Sequence, residues 1–319
     1  MVSTLGEKYL SLFSRTWNHS ATREPFARLC REAELAGEPL LAELLAARMA
    51  AFDCRADRAL AMVDAILERH PRNLLAELLK ARILCLDRRA PGAALKVYRR
   101  LAAAAGGRAY HDKWIGALIA SGRAGAHFKL KRFSRAVEGY AAVIEPLAKA
   151  RKPELRLQLH RARLNKALGH LHLGDHPAAL AETEALIEQG ARDPGPAFDA
   201  LVARAMVLRG LIRGADEYHT EALAAFDEVI RRYGGAKTPE VKEVVLTAWV
   251  NRGIALRKLR YLDDSLKAFD EVVDRCGAEE MVEIQEAAAM ALLHRAEADM
   301  DRRDLPYWGR KSAPPHKEN

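Results

Sequence analysis

The sequence predicts an all-α protein assembled from repeated helical hairpins, and three observations carry that prediction. Half of the 319 residues are hydrophobic, mostly Ala and Leu, while alternating Val/Ile runs are nearly absent. Ala and Leu lose little side-chain freedom in a helix. The segment Phe226-Asp-Glu-Val-Ile-Arg-Arg-Tyr-Gly234 returns 43 residues later as Phe269-Asp-Glu-Val-Val-Asp-Arg-Cys-Gly277. The same displacement pairs Gly210 with Gly253, Leu223 with Leu266 and Ala222 with the similarly small Ser265, and it links Pro153, Pro196 and Pro239. Self-similarity at one period marks an array in which each unit buries its apolar face on its neighbours.

Within one unit the markers have a physical reading. Trp249, Gly253 and Leu256 recur at three- and four-residue steps on a helix that ends near Leu259, so they stand one above another. Gly253 costs that helix about 1 kcal/mol, which close approach of a partner helix would offset. The acidic run after Leu262 suits a helix N-terminus, and the second helix then presents Leu266, Phe269 and Val272 to the first. Thr238-Pro239-Glu240 reads as an N-cap with proline at the first helical position. Pro196 and Pro153 start the equivalent helices, and the residues beyond the usual unit length extend the first helix by about two turns.

Earlier units vary the pattern. One has Ala167, Leu173-Gly174-Asp175 and Ala179; another has Ala124, Phe128, Phe133, Ala136 and Tyr140. Before them, Ala47 to Pro71 contains Ala59 and Ile66, and Arg82 to Leu101 contains Ala94 and Tyr98, with Arg82 where a small residue is expected. The order is then an N-terminal helical cap (1–38) with breaks at Asn18-His19-Ser20 and Gly37-Glu38-Pro39, two less regular hairpins (39–108), four hairpins (109–277), a C-terminal capping helix (278–304) and a flexible tail (305–319). The hairpins fall at about 39–71, 74–108, 110–150, 153–192, 196–236 and 239–277. The capping helix carries Ala291, Leu293 and Ala296 in the same register without a following partner helix.

These markers resemble the tetratricopeptide repeat: a Trp, a small residue on the first helix, then a small residue and an aromatic on the second. Here they are Gly253, Ser265 and Phe269, and Gly210, Ala222 and Phe226. The units of 42 or 43 residues are longer than the family's usual ones. The resemblance implies a right-handed α-solenoid superhelix whose first helices line a concave groove that holds a ligand. Two asparagines, Asn165 and Asn251, stand two positions before the small residue, where family members hold a peptide backbone or terminal carboxylate. An Asn donates and accepts at once, which suits a peptide; its alternative role is to tie neighbouring helices together. Basic residues at other groove-facing registers are Arg48, Lys129, Arg161, Arg204, Arg257 and Lys258, a set that favours acidic ligand segments. Leu208 replaces the asparagine in one unit, and Leu168 and Leu211 make part of the groove apolar, so the full carboxylate clamp of the family is not reproduced.

The function read from this is a non-catalytic scaffold that binds a peptide or protein segment. Net charge is +8, with 51 Lys plus Arg against 43 Asp plus Glu, and both signs read as mixed along the chain. Nucleic-acid binding is the competing reading, opposed by that mixing and by the lack of a recurring base-reading pair. Self-assembly through an open end is a third. Cys30, Cys54, Cys85 and Cys276 are far apart, without a CxxC pair. No apolar stretch suits a signal peptide or a membrane span, so a cytoplasmic protein is expected. His170, His172 and His176 beside Asp175 form the densest run of ligand-type residues, but a turn at Gly174-Asp175 breaks their shared face. No phosphate loop, dinucleotide fingerprint or paired-carboxylate cluster is seen, so neither enzyme, metal nor cofactor is expected. Trp114 and Trp249 are expected in hairpin cores, Trp17 over the first hairpin, and Gly106-Gly107 and Gly234-Gly235 at helix C-caps. Tyr307-Trp308 either folds over the last helix or docks on a partner.

Overall fold

The computed structural model describes residues 23–87, 89–105, 113–193, 195–277 and 282–303. The expectations about Trp17, the break at Asn18-His19-Ser20, Gly106-Gly107, Tyr307-Trp308 and the 305–319 tail lie outside them. Among the described residues every regular element is helical. α1 is Arg23–Leu35, α2 Pro39–Phe52 and α3 Ala56–Arg69. α4 (Leu74–Arg82) runs into a π-helical turn, Ile83–Asp87, followed by α5 (Pro91–Ala105). Then come α6 (Lys113–Lys129), α7 (Phe133–Leu147), α8 (Pro153–His172), α9 (His176–Gly190), α10 (Pro196–Ala215), α11 (His219–Tyr233), α12 (Pro239–Lys258), α13 (Leu262–Cys276) and α14 (Val282–Arg303).

The chain divides into two compact units, Met1–Ala179 and Leu180–Asn319. In the second, α10 packs on α11 and α12 on α13, while α10, α12 and α14 also lie against one another in sequence as a layer of first helices. In the first, α2 packs on α3, α4 on α5 and α6 on α7, and α6 also packs on α8. Helices thus alternate between two layers within each unit, and the apolar stripe of each finds a partner.

Pro153, Pro196 and Pro239 each occupy the first turn of a helix, where the missing N–H costs nothing. The helices they start have 20 residues each, against 14 in α2. The residues added to the longer units therefore lengthen the first helix by somewhat under two turns. In the second unit a Cβ added to Gly210 would lie 2.5 Å from the Phe226 ring, and one on Gly253 2.5 Å from the Phe269 ring. Both rings are buried, so the glycines are what allow each hairpin to close. Ser265, also buried, donates from its hydroxyl to the Gly253 carbonyl at 2.8 Å.

The turns inside the hairpins repeat as well. Lys131, Gly174, Glu217 and Arg260 all have positive φ, at 56°, 75°, 65° and 66°. At the last, the Arg260 amide donates to the Arg257 carbonyl and the Tyr261 amide to the Leu256 carbonyl. The corresponding pair recurs at 217–218, 174–175 and 131–132. This left-handed cap satisfies two orphan carbonyls of the first helix and reverses the chain. Only at Gly174 does the residue suit that conformation without strain.

The second hairpin departs from the expected register. The buried small residue there is Ala81, one position before the half-buried Arg82, and the helix widens into the π turn directly afterwards.

Candidate functional site

The face that the first helices leave uncovered is the candidate site, and each unit presents its own. On α12 it is a stripe at three- and four-residue steps, Glu243, Thr247, Asn251, Ile254 and Lys258, all partly or fully exposed between buried flanks. Moving this stripe back by 43 residues gives Arg204 and Leu211 on α10, with Leu208 between them buried and off the open face; moving it forward gives Met290, His294, Glu297 and Asp301 on α14. Leu211 is 38% exposed and Met290 47%, so apolar side chains stand between polar groups on this surface.

Apart from Lys258, the ionic groups along that face are already matched. Arg204 on α10 pairs with Glu243 on α12 at 2.7 Å. Arg257 on α12 donates to Asp301 on α14 at 2.6 Å and also to Glu297. The hydrogen bond from His294, then the Arg257 guanidinium, holds the Glu297 carboxyl below the usual carboxylate range. Asn251 spends one amide N–H on the Thr247 carbonyl of its own helix at 2.8 Å, and Thr247 donates to the Glu243 carbonyl. Lys258 is exposed at the helix end. Three of the residues singled out from the sequence, Arg204, Asn251 and Arg257, therefore stitch helices or cap their own backbone in the free protein. The excess of basic charge expected on this face is cancelled by Glu243, Glu297 and Asp301. Ile254, Met290 and His294 were not singled out, although the displacement of 43 applied to Leu211 and Asn251, and twice to Arg204, finds them.

In the first unit, Arg161 and Asn165 are half-buried on α8 and Lys129 is exposed at the end of α6. Arg48 is a correction. It is not on an open face but 1% exposed, with its guanidinium 3.7 Å from the centre of the Phe52 ring and 5.4 Å from that of Phe26. The helix α1 packs on α2 and roofs the position; the aliphatic stem and flat cation of arginine suit such a sandwich.

The histidine run is divided between helices. His170 Nδ1 lies 3.3 Å from Asp175. His172 stacks on Phe133, with centroids 4.6 Å apart and planes at 5°, and Phe128 meets both rings edge-on. Trp114 and Trp249 are partly buried against the cores of their units. Among the described residues no helix is long and apolar enough to cross a membrane.

No family model matches the chain, and no curated protein matches its sequence. Solved structures do match its fold. The apo form of RapI superposes with a TM-score of 0.66 at 12% identity, covering 94% of this chain and 86% of that one. The apo quorum sensor NprR from B. thuringiensis superposes at 0.65 and 16% identity, covering 92% and 80%. NprR in complex with its cognate peptide NprX gives 0.56 at 15% identity, covering 95% and 89%. With the glycine–aromatic hairpins and the repeated left-handed turns, these likenesses show the fold, a tetratricopeptide-like array of helical hairpins.

Proposed function

We propose that this chain is a non-catalytic scaffold that binds a peptide or protein segment along its first helices. The observation that carries the reading is the face of α10, α12 and α14: Leu211, Ile254 and Met290 supply apolar contact, and Asn251, Thr247 and Lys258 supply donors and acceptors between them. An extended or helical segment needs this mixture, since its side chains seek apolar pockets while its backbone seeks both kinds of hydrogen-bond partner. A protein of the same fold, NprR, is known with a bound peptide, which supports the assignment. We assign Asn165 and Arg161 the same task on the first unit's own face. The four cysteines are all free, which fits the reducing cytoplasm as the place of work.

A displayed library of random peptides panned against the full chain tests this. Enriched peptides are expected to bind the wild type in calorimetry and to lose at least tenfold in affinity with Leu211→Glu/Ile254→Glu. Failure to enrich any peptide, or equal binding to both proteins with the variant's helicity intact, overturns the reading.

A further inference from the structure

The positive charge of this chain is not spread as the overall composition suggests. From Arg88 to Val137 there are twelve Lys plus Arg and a single acid, Asp112, a balance of +11. With +8 for the whole chain, the remaining residues sum to −3. Mixing of signs, read from the sequence as a whole, holds outside this stretch and fails inside it.

The fold then gathers part of this charge in one place within the first unit. The Tyr98 ring on α5 presses against Gly122 on α6, which sets the next residues of both helices, Arg99 and Arg123, at the same crossing. A Cβ on Gly139 would lie 2.8 Å from that of Ala124, so α7 is drawn equally close to α6. The Arg132 amide donates to the His127 carbonyl at 3.0 Å, and Arg135 follows in the first turn of α7. Arg99, Arg132 and Arg135 are exposed and Arg123 half-buried. Among the described residues none of the four has a carboxylate partner, in contrast to Arg100, which pairs with Glu77 at 3.0 Å. Burial, then Arg135, Arg132, Arg123 and Arg99 together, pushes the His127 imidazole below its ordinary value, so all four guanidiniums act on one point. Its Nδ1 is buried without a hydrogen-bond partner. Beside Arg132 begins the Phe133–His172 stack, with the His172 ring exposed.

The chemistry of this surface selects its ligand. Arginine and lysine donate hydrogen bonds and accept none. At these guanidiniums a peptide's N–H groups find no acceptor, whereas the phosphate groups of a nucleic acid are acceptors only and bring a charge at every nucleotide. The exposed His172 ring, backed by the half-buried Phe133 ring, gives an unpaired base a face to lie on. We propose that the α5–α7 surface docks single-stranded nucleic acid, with Arg99, Arg123, Arg132 and Arg135 on phosphates and the Phe133–His172 stack against a base.

Fluorescence anisotropy on the full chain decides it, using labelled oligouridine of about 20 nucleotides, an RNA duplex of equal length and an oligoglutamate of equal charge. Titrations at about 50 and 200 mM salt should give a log–log slope near −3 for the single strand, at about −0.7 for each of four phosphates. Arg99→Gln/Arg123→Gln/Arg132→Gln/Arg135→Gln should lower low-salt affinity at least tenfold and flatten the slope. The two-site Arg132→Glu/Arg135→Glu, at exposed positions only, should do the same in a protein that stays folded. Phe133→Leu/His172→Ala should weaken the single strand more than the duplex. No binding of the oligouridine at low salt, equal binding of oligoglutamate, or unchanged affinity in the two-site variant overturns the proposal.

Discussion

The two units solve one packing problem differently. In the second, Gly210 and Gly253 on first helices each admit a phenylalanine from the second helix of the same hairpin. In the first, Gly122 admits Tyr98 from the preceding hairpin, Gly139 on a second helix faces Ala124 on a first, and Gly169 faces Val137. Either way two helices approach within reach of one missing side chain. A repeat is easy to read where the same residue pair is copied, and hard to read where an equivalent contact is made from the other side.

The largest effect tests whether the copied pair is structural. Phe269 is fully buried, and Phe269→Ala should cost ~3–5 kcal/mol by transfer and cavity together. Gly253→Ala should also destabilise, because overpacking at about 1–3 kcal/mol outweighs the gain in helix propensity of about 1 kcal/mol. Combining Gly253→Ala with Phe269→Leu should recover part of the loss, read as a coupling in a double-mutant cycle by denaturant melts. Additive effects would separate the glycine from the ring. Gly125→Ala, whose Cβ would meet only the Tyr140 hydroxyl at 3.5 Å, should stabilise instead.

Alkaline pH should distinguish the units next. Tyr98 and Tyr140, both in the first unit, are buried, and burial pushes each phenol well above its ordinary value. The sign follows from linkage: the unfolded chain loses these protons near pH 10 while the folded one retains them, so the stabilisation is complete below that pH and declines above it. One pH unit above the unfolded value, each tyrosine should cost about 1.4 kcal/mol. Urea melts between pH 9 and 11 should show the first unit weakening faster, and Tyr98→Phe with Tyr140→Phe should flatten that slope. An unaltered slope in the double variant would refute the assignment.

A smaller effect should come from the clamp on the last helix. Arg257→Gln leaves Glu297 and Asp301 without their cation, so amide exchange along α14 should speed severalfold while α12 changes little. Salt should reduce the difference, because these groups are partly exposed and screened. Exchange rates equal to those of the wild type would mean that α14 is held by its apolar contacts alone.

Much of the fold was legible because it is periodic. The displacement of 43 located Gly210, Gly253 and the helix-starting prolines, all of which act through their own backbone or missing side chain. The site was less legible, since its character depends on what stands opposite. Arg48 follows the same helical register as its neighbours, and only the roof of Phe26 from α1 takes it out of solvent. Arg204 and Arg257 read as free charge because their partners lie 39 to 44 residues away. The reverse holds for α5–α7, where averaging over the whole chain concealed a local excess.

The inter-helix turns give the smallest effect and the sharpest comparison between residues. Lys131, Glu217 and Arg260 adopt the conformation that Gly174 adopts without strain. A side chain there costs roughly 1–2 kcal/mol, against the extra backbone entropy that glycine loses on folding. The net gain from Arg260→Gly should therefore be about 0.5–1 kcal/mol, and Gly174→Ala should lose about as much. Thermal melts of the two variants should move in opposite directions. Should both fall, the Arg260 side chain would be contributing contacts that outweigh its strain, and the turn would be held by more than the paired amides of residues 260 and 261.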